Sequence, residues 1–308
     1  MTAPDSHRPH RHHHAHHEGP VHLDEADWEA WAAQTELEGE VFLAFVTDAA
    51  AWVTELRDAD APPVRRIIDI GSGPGVGTCE LARRFPDAQV IAVDGSPAML
   101  ERAARRAAEQ GLAERVTTHL AEVPEGLDGL AGADVIWASM ALHHVGDEVT
   151  TLRILRDLLA PHGLIAIAEV AEPMRMLPDE LDVGGPGLVA RLDRAGATWF
   201  AAMRDGLEGS VPSAALPEML ASAGFEVVGA RVARERLDPP LSDDARRVAV
   251  GSIERLSAQL HDRLDEDDLQ ALDVLRDADD PRGVSHRADV FLDASRQIVV
   301  ARPGQSTA

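Results

Sequence analysis

The residues best suited to chemistry in this sequence form a glycine-rich segment, residues 69–77, which reads DIGSGPGVG. Gly71, Gly73 and Gly75 alternate with other residues, and glycines so placed permit positive φ and let the backbone approach a ligand without a Cβ in the way. A helix is predicted directly after the segment, so the free N–H groups of its first turn would face the same space. This combination predicts a loop that binds a carboxylate or phosphate of a ligand.

An acidic residue stands where it could bind the sugar of a nucleotide. Asp94 ends the next predicted strand, about 20 residues past the loop, where a carboxylate can accept hydrogen bonds from a ribose diol. A dinucleotide fingerprint, G-x-G-x-x-G, would require glycine at position 76 or 78, and the chain has Val76 and Thr78 there. The pattern present instead is D-x-G-x-G-x-G, from Asp69 to Gly75, which argues against a dinucleotide.

Two adjacent histidines, His143 and His144, are the candidate general bases. They follow a predicted strand, at the edge where parallel sheets bind ligands, although a second reading makes them packing residues bonded to the backbone. After the next strand, Glu169 and Glu172 either face an acceptor or are solvated loop acids, and the sequence favours solvated acids. Cys79 lies in the first turn of the helix after the glycine loop, where a small buried packing role is favoured over a reactive thiol.

Aromatic side chains could form the walls of an acceptor pocket. Trp28 and Trp199 are the candidates, each in a segment with helical periodicity. Aromatic residues at helical spacing are also typical of a hydrophobic core, so this second reading stays open.

Composition excludes several functional classes. All 29 basic residues of the 308 are arginine and the chain has no tyrosine, so a Schiff-base lysine, a P-loop lysine and a tyrosine acid are excluded. A formal net charge of −24 argues against a nucleic-acid partner, which requires a basic face. One cysteine excludes an intramolecular disulfide, and no apolar run approaches the length of a membrane span. We therefore expect a cytoplasmic protein that does not bind membranes.

The elements that must position these residues alternate between strand and helix. Strands are predicted at Val64–Ile70, Gln89–Val93, Val116–Leu120, Asp134–Ala138, Leu164–Val170, Phe225–Val232 and Gln297–Arg302. Helices are predicted near Asp24–Leu56, Gly77–Phe85, Pro97–Gln110, Val149–Leu159, Arg191–Met203, Leu216–Ala223 and Ser242–Asp277. Most of the strands are continuous apolar runs, as expected when both faces of a sheet are covered. The pattern predicts an α/β fold with a doubly wound parallel sheet.

The first part of the chain differs in composition from the rest. Residues 1–22 hold eight of the 14 histidines and little that could be buried, so we predict a disordered tail on which any divalent metal is adventitious. Residues 23–308 are predicted to form a single domain. Within it we expect an N-terminal helical cap at 23–60, a cofactor-binding core at 61–170, and helical inserts with the last two strands at 171–308.

Five motifs in order resemble the class I S-adenosylmethionine-dependent methyltransferases. Residues 69–75 resemble motif I of that family, and residues 93–100, VDGSPAML, resemble its second-strand motif. Ala121-Glu122 and residues 142–145 (LHHV) resemble the elements after the third and fourth strands, and residues 163–168 (GLIAIA) resemble the fifth strand with its preceding glycine. The resemblance covers about residues 64–170 well and 215–302 loosely, and uncharacterised actinobacterial small-molecule methyltransferases are similar overall.

This resemblance implies a fold, a cofactor and a set of site residues. The fold would be a Rossmann-like seven-stranded sheet, mostly parallel with the last strand antiparallel, and helical insertions in the N-terminal and C-terminal parts. The cofactor would be S-adenosyl-L-methionine. Its binding residues would be Asp69, Gly71, Ser72, Gly73, Gly75, Asp94, Gly95, Glu122, Val123 and Ser139.

The resemblance also implies methyl transfer by in-line displacement to a small-molecule acceptor, aided by His143 or His144 only if the acceptor must lose a proton. Trp28 and Trp199 would line the acceptor pocket, and no resident metal is expected. Two alternatives stay open, a non-catalytic S-adenosylmethionine sensor and a metal-binding protein that uses the histidine tail. The acceptor atom and a homodimer also remain open.

Overall fold

A computed structural model describes residues 25–207 and 216–304 of the chain. The predictions for the histidine-rich tail, residues 1–22, therefore lie outside the described residues. Within them no helix has the length and apolar character that crossing a bilayer requires.

A seven-stranded sheet organises the described part of the chain. Its strands are β1 (Arg66–Ile70), β2 (Gln89–Asp94), β3 (Val116–Leu120), β4 (Ala133–Ser139), β5 (Leu159–Val170), β6 (Phe225–Leu237) and β7 (Leu292–Pro303). They lie in the order β3-β2-β1-β4-β5-β7-β6. The first five pair in parallel, and β7 is antiparallel to both neighbours. The predicted mostly parallel sheet with an antiparallel last strand is confirmed, and the order reverses between β1 and β4, where such sheets bind ligands.

Helices cover both faces of this sheet. Their bounds are α1 (Glu25–Val41), α2 (Ala44–Leu56), α3 (Val76–Arg84), α4 (Pro97–Glu109), α5 (Glu148–Leu158), α6 (Leu188–Asp205), α7 (Leu216–Ser222), α8 (Asp243–Leu260) and α9 (Glu266–Arg276). Short 3-10 turns occupy Leu142–His144 and His261–Arg263. Most helices therefore have the positions that the sequence predicted, with ends that differ by a few residues.

Alternate residues of the central strands feed two separate cores. Ile68 and Ile136 belong to the core on one face of the sheet, and Ile67 and Trp137 belong to the core on the other. A third apolar cluster joins α2, α6, α8 and α9 around Phe45. Because both faces of β1 and β4 are buried, these strands are apolar throughout and hold the loops at their carboxyl ends rigidly.

Some of the predicted helices and strands differ from those observed. The helical segment from Asp24 to Leu56 is broken after Val41 into α1 and α2, and the segment Ser242–Asp277 is divided between α8 and α9 by a 3-10 turn. Strands β6 and β7 are longer than predicted, because they pair with each other from Phe225 opposite Pro303 to Leu237 opposite Leu292. The sequence predicts this strand only as far as Val232, and the arginines beyond it are neutralised by ion pairs between the two strands. Arg234 and Arg236 of β6 both bind the buried carboxylate of Asp293 on β7.

Candidate functional site

The glycine loop lies at the carboxyl end of β1, and two of its glycines are required by packing. Gly71 and Gly75 have φ of +65° and +80°, which side chains rarely adopt. A Cβ added to Gly71 would lie 2.5 Å from the Cβ of Ala141, and one added to Gly75 would lie 2.7 Å from the Cα of Ala103. Because Gly71 and Gly75 have no side chain, the loop can pack tightly between the end of β4 and helix α4.

Gly73 differs from the other two loop glycines because its missing side chain leaves open space. Its φ is +51°, and a Cβ added there would meet no described atom within 4 Å. Beside it, the Oγ atom of Ser72 is buried without a hydrogen-bond partner among the described residues. A buried hydroxyl without a partner is uncommon in folded proteins. The open space and the unsatisfied hydroxyl together fit a polar ligand that rests on this loop.

Asp94 links the glycine loop to the end of β2. Its Oδ2 accepts a hydrogen bond from the N–H of Gly73 at 2.9 Å, and its Oδ1 accepts one from the N–H of Ser96 at 2.9 Å. Ser96 in turn caps helix α4 through the N–H of Met99. A Cβ on Gly95 would lie 3.5 Å from the Cγ of Glu122. The structure thus brings together the residues that the sequence assigned to the sugar and base of the cofactor.

The remaining residues of the predicted cofactor set surround this edge of the sheet. Glu122 is exposed, while Val123 is half-buried and packs against the core. Ser139 is the last residue of β4 and is half-buried. Met140, which follows it, has a φ of +56°, an unusual backbone conformation for a residue with a side chain. The turn that leads towards His143 therefore begins from a constrained backbone.

Asp69 lies inside the protein rather than on the loop surface. It is 3% exposed and accepts a hydrogen bond from the Oγ1 of Thr78 at 2.5 Å, which joins β1 to α3. Burial raises the pKa of Asp69 from 3.8 to about 7; the Thr78 hydrogen bond lowers it and the charge of Asp94 raises it further. This carboxyl group therefore stabilises the glycine loop by joining the strand before it to the helix after it. Cys79, one residue beyond Thr78, is buried and lacks a disulfide, as its packing role predicts.

His143 forms a tight pair with a carboxylate that the sequence analysis assigned to solvent. Its Nδ1 lies 2.6 Å from Oε2 of Glu169, and Oε1 of Glu169 accepts from the N–H of Leu142 at 2.8 Å. Glu169 is 3% exposed, so its interpretation as a solvated loop acid is wrong. Glu172 is exposed, as that interpretation requires. Glu169 lies within both the predicted strand Leu164–Val170 and the buried end of β5, so the error was to treat it as part of the loop that follows.

A second ion pair stands behind His143. Nη1 of Arg204 on α6 donates to the carbonyl of His143 at 2.7 Å, and Nη2 pairs with the buried carboxylate of Glu148. Glu169, His143, Arg204 and Glu148 also line a small cavity of about 10 Å³, roughly the room that one water molecule needs. Because its carbonyl and its ring are both bound, His143 is held in one orientation.

The other predicted site residues lie farther from this pair. His144 is exposed, and its ring centroid is 4.1 Å from that of His143. Trp28 is half-buried on α1, with its ring 6.3 Å from that of Trp31. Trp199 packs against the third core cluster, whereas the ring of its neighbour Phe200 lies 6.0 Å from that of His143. On α6 it is therefore Phe200, and not the predicted Trp199, whose ring lies beside the histidine pair.

Two charged residues near the site were not predicted from the sequence as site residues. Arg204 and Arg296 are 6% and 9% exposed, on α6 and β7. No sequence pattern marked either of them as a site residue, so only the tertiary structure reveals them. Across the described ranges no group of three or more His, Cys, Asp or Glu side chains is close enough to hold a metal ion.

The comparisons with known proteins point to one family. Residues 67–163 match the family model described as a methyltransferase domain. Trans-aconitate 2-methyltransferase of Methylobacterium radiotolerans is 37% identical over 166 residues, which cover 53% of this chain and 58% of that protein. Malonyl-[acyl-carrier protein] O-methyltransferase of Halorhodospira halophila is 36% identical over 104 residues, which cover 34% of each chain. This chain thus spans 58% and 34% of the length of these relatives.

A solved structure agrees on the fold. A candidate methyltransferase from Bacillus halodurans C-125 superimposes with a TM-score of 0.51 at 14% identity, covering 83% of this chain and 99% of that one. The sequence relatives, the family match and the sheet order agree that residues 67–163 form a methyltransferase domain, similar to those of class I S-adenosylmethionine-dependent methyltransferases.

Proposed function

We propose that this protein transfers a methyl group from S-adenosyl-L-methionine to a small-molecule acceptor. The observation that carries the proposal is the loop at Ser72 and Gly73, with its unsatisfied buried hydroxyl and its open space beside the Asp94 carboxylate. These features fit the polar amino-acid and ribose parts of the cofactor. When bound, S-adenosyl-L-methionine supplies a methyl group activated by a sulfonium.

The roles that we assign to the chain follow the geometry of this edge. Gly71, Gly73 and Gly75 would hold the methionine part, with Asp69 supporting the loop near its amino end. Asp94 would accept hydrogen bonds from the ribose. Glu122 would lie near the adenine, beside Gly95, Val123 and Ser139. Acidic side chains at this edge also suit a cofactor that carries positive charge.

The acceptor must be aligned with the methyl group and kept from water, and alignment alone can supply several kcal/mol of the barrier. We propose that residues 23–60 and the helical inserts within 171–308 cover the acceptor. Trp28 and Trp199 are the proposed apolar walls.

His143 is the proposed base for an acceptor that must lose a proton. An ionised Glu169 only accepts hydrogen bonds, so the proton of their bond lies on Nδ1 and Nε2 carries the lone pair. His144 is the second candidate, since its ring contacts that of His143. A carboxylate acceptor would need no base, and His143 would then only position groups around it.

The names of the relatives suggest where an acceptor screen should begin. Trans-aconitate and malonyl-[acyl-carrier protein] both carry carboxylic acid groups. We therefore infer that small carboxylic acids are the first acceptors to test, followed by phenols, amines and thiols.

Mass spectrometry of each compound after incubation with the protein and S-adenosyl-L-methionine tests this proposal. The expected result is a gain of one methyl group in at least one acceptor, with formation of S-adenosylhomocysteine. A full-chain protein that binds the cofactor but methylates nothing in a broad screen would contradict catalysis and favour a cofactor sensor. Reactions with and without a chelator would separate any metal bound by the histidine-rich residues 1–22 from the methyl transfer itself.

A further inference from the structure

Arg296 is a buried cation at the functional edge of the sheet. On β7 it lies opposite Val170, the last residue of β5. The carboxyl ends of β1, β4 and β5 share this edge, so Arg296 is on the side of the sheet that carries the glycine loop and His143.

The guanidinium of Arg296 has few partners for a buried charge. The residue is 9% exposed, and its Nη1 donates to the carbonyl of Ser295 at 3.1 Å. The guanidinium carbon also lies 5.4 Å from the ring centroid of Phe45, within the range of a cation–π contact. A guanidinium has five N–H donors, and within the described ranges no carboxylate oxygen lies within 4 Å of this one. Most of its hydrogen-bonding capacity is therefore left for another molecule.

Glu38 and Glu169 are the two acids whose charges act on Arg296, and each of them binds other groups. Glu38 and Glu169 both raise the pKa of Arg296, but burial outweighs them and lowers it below its ordinary value. Glu38 pairs with Arg255 at 2.9 Å, and Glu169 binds His143 and the N–H of Leu142. Neither carboxylate is placed to neutralise Arg296 directly.

Two other buried or nearly buried arginines of this chain have carboxylate partners. Arg204 pairs with Glu148, and Arg106 on α4 pairs with both Glu36 and Glu40. Leaving a buried charge without a counter-ion is strongly unfavourable, and a partner of opposite charge would remove that cost. Arg296 therefore has the environment of a group that receives its counter-ion from a ligand.

We propose that Arg296 binds a carboxylate of the methyl acceptor, so that the acceptor is a small organic acid. This inference rests on the proposed function, because it concerns the acceptor of that same reaction. A guanidinium binds carboxylates through two parallel N–H···O bonds, which would fix both the position and the orientation of an acid. The same charge would select against neutral analogues, which leave the guanidinium unpaired.

Calorimetric titration in the presence of saturating S-adenosylhomocysteine tests this inference. The probes are malonate, succinate and tricarballylate, each with the corresponding neutral amide. The proteins are the wild type, Arg296→Gln, Arg296→Lys and, as a matched control, Arg302→Gln. Arg302 lies on the same strand but is 40% exposed and pairs with Glu226.

The expected result is that at least one acid binds the wild type and that its amide does not. Arg296→Gln should lower the affinity for that acid by about tenfold or more. Arg296→Lys should restore part of this loss, since it keeps the charge without the paired donors. Cofactor affinity should stay within twofold of the wild type, which a general loss of structure would not permit. Arg302→Gln should match the wild type.

Two results would overturn the inference while leaving methyl transfer intact. One is a wild type that binds the cofactor but none of the acids, and the other is an acid that binds Arg296→Gln as tightly as the wild type. Failure of the wild type to bind S-adenosyl-L-methionine would instead overturn the proposed function itself. If Arg296→Gln does not fold, the comparison of each acid with its amide on the wild type, together with Arg296→Lys, decides the matter.

Discussion

The N–H of Gly73 donates a hydrogen bond of 2.9 Å to the carboxylate of Asp94, which ties the loop after β1 to the end of β2. The other oxygen of Asp94 accepts from Ser96, so one carboxylate orders two adjacent loops. Because two backbone segments depend on it, Asp94 shapes the glycine loop, in addition to the ribose-binding role that we propose for it.

Replacing Gly73 with alanine should weaken cofactor binding far more than it weakens the fold. A Cβ there enters space that no described atom occupies, and we assign that space to the cofactor. The positive φ should reduce the unfolding free energy by about 1–2 kcal/mol. We expect cofactor affinity to fall at least tenfold, measured by calorimetry.

Gly111→Ala is the matched control for this substitution. Gly111 has a φ of +70° and equally open surroundings, but it follows α4, away from the glycine loop. It should show a similar loss of stability with normal cofactor binding. Equal affinities of the two variants would contradict the assignment of the open space at Gly73.

Asp69 should make the stability of the ligand-free protein decrease as the pH rises from about 4 to about 7. Its pKa is raised from 3.8 to about 7 in the folded state, so over this range the unfolded chain ionises while the folded protein keeps its proton. The free energy of unfolding should therefore fall by a few kcal/mol, and the loss should be complete above pH 7.

Asp69→Asn should remove this dependence, because an amide does not ionise and its oxygen can still accept from Thr78. Denaturant unfolding of both proteins at several pH values gives the difference directly. The variant should gain stability relative to the wild type as the pH rises. If the unfolding free energies of the two proteins change in parallel with pH, Asp69 is already ionised in the folded protein.

Glu169→Gln should reverse the tautomer of His143. Glutamine has one acceptor oxygen, and if it accepts from Leu142 its amide faces Nδ1 of His143 as a donor. The proton of the ring would then move to Nε2, and the lost charge-assisted bond should lower the unfolding free energy by about 1–3 kcal/mol. Nitrogen NMR of the histidine ring reports the tautomer.

Glu172→Gln provides the comparison, since Glu172 is exposed just beyond the same strand. It should leave both the tautomer and the stability unchanged. An Nδ1-protonated ring in the Glu169→Gln variant would mean that Glu169 does not control the tautomer of His143.

Local sequence signals predicted the parts of the site that are built from consecutive residues. The glycine loop follows a buried strand directly, so its residues could be recognised together. The family resemblance assigned Asp94 and Glu122 to the same cofactor, and the two residues lie near each other because β2 and β3 are parallel neighbours whose carboxyl ends meet at one edge. The sheet itself was predictable because buried strands alternate with amphipathic helices.

The parts that escaped prediction depend on contacts between distant segments. Glu169 resembled a loop acid because the sequence does not show that His143, 26 residues earlier, lies beside it. Arg296 was not marked as a site residue by any sequence pattern, and its lack of a counter-ion is visible only once β7 is paired with β5. The full length of β6 was hidden for a similar reason, since its arginines are neutralised by Asp293 on another strand.

Calorimetric titration of S-adenosyl-L-methionine and S-adenosylhomocysteine into the wild type and Asp94→Ala tests the central claim most directly. Asp87→Ala is the control, because Asp87 is an exposed acid outside the proposed cofactor-binding residues. We predict micromolar binding of both ligands to the wild type and to Asp87→Ala, and at least tenfold weaker binding to Asp94→Ala. A wild type that binds neither ligand, or an Asp94→Ala variant that binds both normally, would contradict the assignment of this edge as the cofactor site.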